Sequence, residues 1–445
     1  MSPAGLCLVL LGMVSGTPPE NLSLDLEGRL ETLVGTNISA AVPPKHVSAI
    51  FSLTPGVLLT DRSQTGVLKL SYTPLLYLTV PGSDAYPAKV LVLNRFNYEA
   101  SNQLSRASSI SLIGALWFGD QNYSPVVNQG LAPGSGTGQP SGIPPPPGQL
   151  PAVQIIRVIT STTQLGFTLA TSATVQLAFA AGFLFSEGAN DASRLELPLQ
   201  RGPFVVARSE FLLSERDTLT PALRVGFLTY GPIFWTAGST VENGSSVTVA
   251  HFQEGLELLG SELTLKWGHQ ESRALRTEAA VGLAVFNQSS SSDVPVGQTG
   301  ELLWYARSIP VPAETFAEPI ARATVYYNVF PDEEPPLQLG ATAALAPILN
   351  QFAGTVYERV EGILTADWTL SPYVRLGALA GAAYSFSPPE TDIRAEVRAA
   401  WSPATSVAIA GGVRAAWINY VVPGAFNGFS WSVFINVTGA TGALF

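Results

Sequence analysis

Cysteine is almost missing: Cys7 is the only one in 445 residues, and it lies in an apolar leader. Beyond that leader no disulfide and no thiolate-held metal or cluster can form. Charge is scarce, 13% of residues against about 25% in an ordinary soluble domain, too little to wet a globular surface. Long hydrophobic runs are equally scarce. No stretch after the leader approaches the 18 or so apolar residues that a membrane-crossing helix needs, so helical spans are excluded. Histidine is limited to His46, His251 and His269, and none stands at metal-ligand spacing from another or from a carboxylate pair. No Walker sequence, phosphate-cradling glycine loop or heme-attachment motif occurs, and the net charge of −10 argues against a nucleic-acid partner. The expectation is a protein that is not an enzyme and carries no metal or cofactor.

A chain too apolar for water and without a helical span fits a barrel whose apolar residues are spread over every second position. Residues 1–16 read as a secretory signal, with Leu6, Leu8, Val9, Leu10, Leu11, Met13 and Val14 as its apolar core and small Ser15 and Gly16 at its end. Residues 17–445 are then expected to form a single domain. From Asn21 to Thr32, the even positions are Leu22, Leu24, Leu26, Gly28 and Leu30, while the odd ones are Ser23, Asp25, Glu27, Arg29 and Glu31. That is the period-two signature of a strand with one apolar face.

Comparable runs recur at 47–60, 66–80, 90–104, 109–119, 157–169, 174–186, 203–213, 218–230, 247–270, 275–286, 316–330, 336–347, 356–370, 373–386, 392–401, 406–420 and 431–445. In 247–270 the apolar parity changes between Leu256 or Leu258 and Leu259 or Leu263, and a β-bulge is the expected cause. Tight polar turns (Asp61–Gly66, Ser105–Ser108, Thr171–Ala173, Ser214–Asp217, Glu271–Ala274, Pro331–Pro335, Ser371–Pro372 and Ser402–Thr405) alternate with longer connections rich in Gly, Pro, Ser and Asn. An up-and-down barrel with short periplasmic turns and long outer loops has this order; a Greek-key sandwich does not. The fold class is therefore all-β: a transmembrane antiparallel up-and-down β-barrel of about eighteen strands, sixteen being the alternative.

If the apolar parity faces lipid, the other lines the interior, and the strand charges fall on it. The candidate pore-lining residues are Lys69, Arg95, Glu99, Arg208, Glu210, Arg224, Glu262, Lys266, Arg276, Glu278, Arg322, Arg359, Glu361, Asp367, Arg375, Arg394, Glu396, Arg398 and Arg414. Aligning apolar faces puts Lys266 opposite Glu278 and Asp367 opposite Arg375. Arg394, Arg398 and Arg414 predict a locally positive wall and hence a preference for anions. Phe118, Phe183, Phe185, Trp368, Trp401, Trp417, Trp431 and Phe445 lie near strand ends on the apolar parity, where interfacial girdles belong. Of two unusual connections, about 120–154 is a Gly/Pro-rich tract, whereas 287–314 has an apolar middle, Leu302 to Tyr305, and is the better candidate to fold over the pore.

The last run, Trp431, Val433, Ile435, Val437, Gly439, Thr441, Ala443 and Phe445, resembles the terminal strand of Gram-negative outer-membrane β-barrels. That resemblance implies that Phe445 is the signal read by the barrel-assembly machinery, that the chain sits in outer-membrane lipid, and that the whole is porin-like. The strand count is similar to the eighteen-stranded outer-membrane barrels of polysaccharide export, which implies a glycan cargo and a periplasmic polysaccharide-export partner. Three readings follow: an export conduit, a passive solute porin, and a structural or adhesive barrel.

Overall fold

The computed structural model describes residues 22–441 except 37, 39–46, 82–87, 124–153, 191–192, 194–196, 198, 232, 243–244, 295–306, 331–335, 350–355, 387–388 and 421–427. The signal segment, His46, Leu302 to Tyr305 and Phe445 lie outside the described residues. Twenty strands follow in chain order: β1 Leu22–Thr36, β2 Val47–Arg62, β3 Gly66–Tyr72, β4 Leu75–Pro81, β5 Lys89–Gln103, β6 Ser108–Tyr123, β7 Gln154–Ala170, β8 Val175–Gly188, β9 Gln200–Leu212 and β10 Asp217–Tyr230. The second half holds β11 Ile233–Glu242, β12 Ser245–Gln270, β13 Leu275–Val294, β14 Arg307–Asn328, β15 Leu337–Leu349, β16 Val356–Ser371, β17 Val374–Phe386, β18 Pro389–Ala404, β19 Val407–Tyr420 and β20 Gly428–Ala440. No helix among the described residues is long and apolar enough to cross a membrane.

Apart from β3 with β4 and β10 with β11, consecutive strands pair antiparallel, and β1 closes on β20 with Glu27–Gly35 against Ser432–Ala440. Two pairs of strands act as single staves. β3 and β4 pair with successive parts of β2 and of β5, broken only at Thr73 and Pro74, where proline cannot donate to a ladder. β10 and β11 likewise pair with successive parts of β12. The twenty strands therefore make a closed barrel of eighteen staves.

One parity of every stave is an exposed apolar belt that includes Leu30, Leu165, Val205, Leu263, Val281, Leu364, Val397 and Ile435. So continuous a belt belongs in lipid, where a closed ladder pairs backbone groups that water cannot reach. Trp267, Trp368 and Trp401 mark its tight-turn edge, and Phe118, Phe183 and Trp417 its long-loop edge. Phe185 and Trp431 share that parity but are only partly exposed.

Two sequence expectations change. β12 keeps one parity through Leu256, Leu258, Glu262 and Lys266, because Leu259, Leu263, Leu265 and Trp267 are exposed while Leu256 and Leu258 are buried. The register shift lies earlier, between Gln253 and Leu256. Leu256 and Leu258 are inward apolar residues, not evidence of a bulge after them. Secondly, much of 287–314 is strand: β13 and β14 extend as one hairpin to Val294 opposite Arg307.

Candidate transport lumen

All nineteen candidate pore residues lie on the face opposite the exposed apolar belt, but they meet two different environments. At the tight-turn half, inward side chains are wet. Lys69 reaches Glu99 on β5 at 3.2 Å, with the two side chains 42% and 48% exposed. Lys266 and Arg276 both bind Glu278, at 2.7 and 2.6 Å. Asp367 on β16 takes a hydrogen bond from Arg398 on β18 at 3.3 Å, across the whole of β17. Gly377 permits that reach: a Cβ there would stand 2.6 Å from Arg398 Nε and 3.3 Å from Asp367 Oδ1. Arg208, Arg322 and Arg375 are exposed and form no ion pair among the described residues.

At the long-loop half, inward side chains are shielded from water. Leu75, Leu93, Ile156, Val158 and Leu197 pack with Tyr77 and Trp117, while Leu33, Ile38, Ile50, Ala416 and Phe434 meet Tyr77 from the other side. Separate clusters stand at β10 to β14, where Leu256 packs with Tyr230, and Leu258, Ala284 and Phe286 pack with Phe316. Ile38 and Leu197 come from the connections that follow β1 and β8. Leu197 is held by its amide on the Ser193 carbonyl and by the Gly188 amide on its own carbonyl. Both connections thus send a described residue inward, Ile38 after β1 and Leu197 after β8.

The rest of this collar is charged. Arg359 on β16 donates to Asp392 on β18 at 3.5 Å, Arg394 binds the same carboxylate, and Arg359 and Asp392 are 6% and 3% exposed. Arg414 on β19 donates to Glu396 at 3.0 Å, lies 3.8 Å from Glu31 on β1, and stacks 4.1 Å over Phe434. Two more inward arginines cover aromatic rings, Arg95 over Trp117 at 5.3 Å and Arg224 over Phe204 at 5.7 Å. Arg359, Glu396 and Arg414 therefore belong to a packed polar cluster and do not line open water. Arg394, Arg398 and Arg414 each have an acidic partner, which removes the basis for a positive wall.

The cross-strand partners also differ from expectation. Lys266 stands opposite Ala280 and reaches Glu278 diagonally; Asp367 stands opposite Gly377, and Arg375 opposite Thr369. His269 sits between Asp217 at 2.7 Å and Glu271 at 2.9 Å, stacked on Trp267, an arrangement hidden in sequence because Asp217 is distant along the chain. This cluster is on the outward parity at the tight-turn edge, away from the lumen. No group of acidic, histidine or cysteine residues among the described residues could hold a metal ion.

A family model described as the EpsX exopolysaccharide export family matches residues 29–442, which spans the barrel from β1 to β20. The chain belongs to that family. No curated protein matches it. Among solved structures, the copper transporter OprC aligns with a TM-score of 0.51 at 8% identity, over 91% of this chain and 62% of that one. The FrpB iron transporter from Neisseria meningitidis aligns with a TM-score of 0.50 at 8% identity, over 90% and 63%. The ferric-catecholate import receptor Fiu from E. coli K12 covers 96% and 82%, with a TM-score of 0.49 and 8% identity. This chain thus spans less than two thirds of the length of OprC and FrpB. At such identity the likeness concerns fold alone, a closed barrel of the outer-membrane type. The EpsX family member is an outer-membrane β-barrel with a transport role.

Proposed function

We propose that the barrel exports a polysaccharide, taking it up at the wet tight-turn half of the lumen and releasing it past the packed collar at the other end. The observation that carries this reading is the asymmetry of the lumen. A passive porin conducts through a standing water path, whereas a lumen wet at one end and packed at the other suits a conduit that opens only when loaded. Short turns face the periplasm in barrels of this kind, so the wet half is the periplasmic one. Export then needs a periplasmic partner that delivers the glycan, and insertion needs the barrel-assembly machinery. The barrel moves its cargo without chemistry, so no catalytic residue is required.

The test is deletion of the gene, scored for surface polysaccharide and for uptake of small hydrophilic solutes. Loss of the polymer with unchanged uptake supports export. Loss of uptake with intact polymer makes the protein a porin, and loss of neither makes it a structural or adhesive barrel. Orientation is checked by epitope tags. A tag at Ala132–Gly148 is expected to label on intact cells, and one at Ser214–Asp217 only after the outer membrane is opened.

A further inference from the structure

The inward charges are unevenly spread around the barrel. Three adjacent strands, β6, β7 and β8, carry none on their inward parity, although the strands flanking them carry Arg95 and Glu99 on one side and Arg208 and Glu210 on the other. In place of charge β6 and β7 present hydroxyls and amides among small and apolar side chains, and β8 presents Gln176 and Ser186 among Ala178, Ala180, Gly182 and Leu184. Ser109 stands opposite Thr168, Ile113 opposite Gln164, Ala115 opposite Thr162, and Trp117 opposite Thr160. Gln176 stands opposite Ala170 at the tight-turn end.

The Ser109, Ser111, Thr162, Gln164, Thr168 and Gln176 side chains make no hydrogen bond to any described residue, whereas Lys69 with Glu99, Arg276 with Glu278 and Arg398 with Asp367 pair elsewhere in the lumen. The foot of the strip is a cavity of about 500 Å³ that opens at the tight-turn mouth, lined largely by hydroxyls and amides of the turns after β2 and β5 and of the adjoining ends of β7 and β8, with Arg106 the only charge. Its head is Trp117, whose indole Nε1 is buried and has no hydrogen-bond partner.

We infer that the β6–β8 wall is the track along which the exported polymer slides, and that the polymer is a hydroxyl-rich glycan with little charge. The inference rests on the export reading and gives it a substrate class. A neutral sugar chain exchanges one hydroxyl or amide partner for the next at almost constant energy, which is what sliding requires. Fixed charges would hold a polyanion at some sites and repel it at others, and desolvating an unmatched charge against a neutral chain is unfavourable. Trp117 Nε1, buried and unpaired in the packed collar, then becomes a donor for the chain only when the collar opens around it.

The experiment places Thr162→Glu and Gln164→Glu on the track and Thr264→Glu and Ala280→Glu on the inward face of β12 and β13. Surface polysaccharide is measured at matched outer-membrane levels of heat-modifiable barrel. The track variants are expected to lower surface polymer about tenfold and the β12–β13 variants less than about twofold, tenfold being the loss of one strong contact. In parallel, the purified full-length barrel is titrated with linear maltodextrin and followed by saturation-transfer NMR. Binding is expected in the native barrel, lost in Gln164→Glu and kept in Ala280→Glu. Equal loss of polymer from both arcs, or full export from the track variants, overturns the track. If deleting the gene leaves the polymer unchanged, the export reading falls. Maltodextrin binding that is lost in Gln164→Glu would then still report the track.

Discussion

The two halves of the lumen are built from the same staves with the same parity, yet they behave as different materials. Near the tight turns, charges stand in water, so an ion pair gains little over two hydrated ions. Near the long loops, the same side-chain types are shielded, and each charge needs a partner because water no longer supplies one. Lys69–Glu99 and Arg414–Glu396 have almost the same length, 3.2 and 3.0 Å, but opposite exposure. Environment, not geometry, decides what an ion pair contributes.

The sharpest way to break this comparison is to remove one member of each pair. Arg414→Ala leaves Glu396 shielded without a cation, while Glu31 keeps Arg29, and unfolding in detergent should show a loss of about 3–5 kcal/mol. The same measurement on Leu364→Arg, at a lipid-facing position common to both halves, should show about 2–4 kcal/mol if the site lies near the bilayer midplane, whereas inward Thr365→Arg is tolerated. Equal tolerance at 364 and 365 would mean that the faces are misassigned.

A third test concerns the closing seam. A Cβ on Gly35 would stand 2.0 Å from the Trp431 carbonyl oxygen, whereas one on Gly28 of the same strand meets nothing within 4 Å. Gly35→Ala should cost about 1–3 kcal/mol by forcing β1 and β20 apart, with Gly28→Ala as the silent control. The smallest effect belongs to Lys69→Ala, about 0–1 kcal/mol, fading further at high salt. If Lys69→Ala matches Arg414→Ala, the two halves do not differ.

Much of the fold was legible in the sequence, because a barrel writes its parity into every second residue. The eighteen staves, the alternation of tight turns with long connections and the face carrying the charges all follow from that period. Register does not. Sliding one strand by two residues preserves every face, and Lys266 and Asp367 each stand two residues from the expected partner, at Ala280 and Gly377.

The packed collar was missed although it left a trace. Leu33, Ile50, Leu256, Leu258, Phe286 and Phe434 are apolar residues on the polar parity, none of them at the tight-turn end of its strand. Read one strand at a time, such residues look like noise, or like a bulge at Leu256; only the assembled ring shows that they share a level. The functional reading was less legible still. Charge pattern predicts a wall, but which charges cancel depends on neighbours two strands away, as Arg398 and Asp367 show.

Arg414 also bears on how the molecule is made. Glu396 lies on the strand before it, close in sequence, but Glu31 lies on β1, and the two come within 3.8 Å only when β1 and β20 have joined. Until then Glu31 has only Arg29, two residues away on its own strand at 2.8 Å, and lacks the second cation that the closed collar supplies. An open, partly inserted sheet is thus electrostatically incomplete, and circularisation relieves it. The first and last strands are matched by charge as well as by backbone, which disfavours closure onto a wrong strand or onto a second molecule.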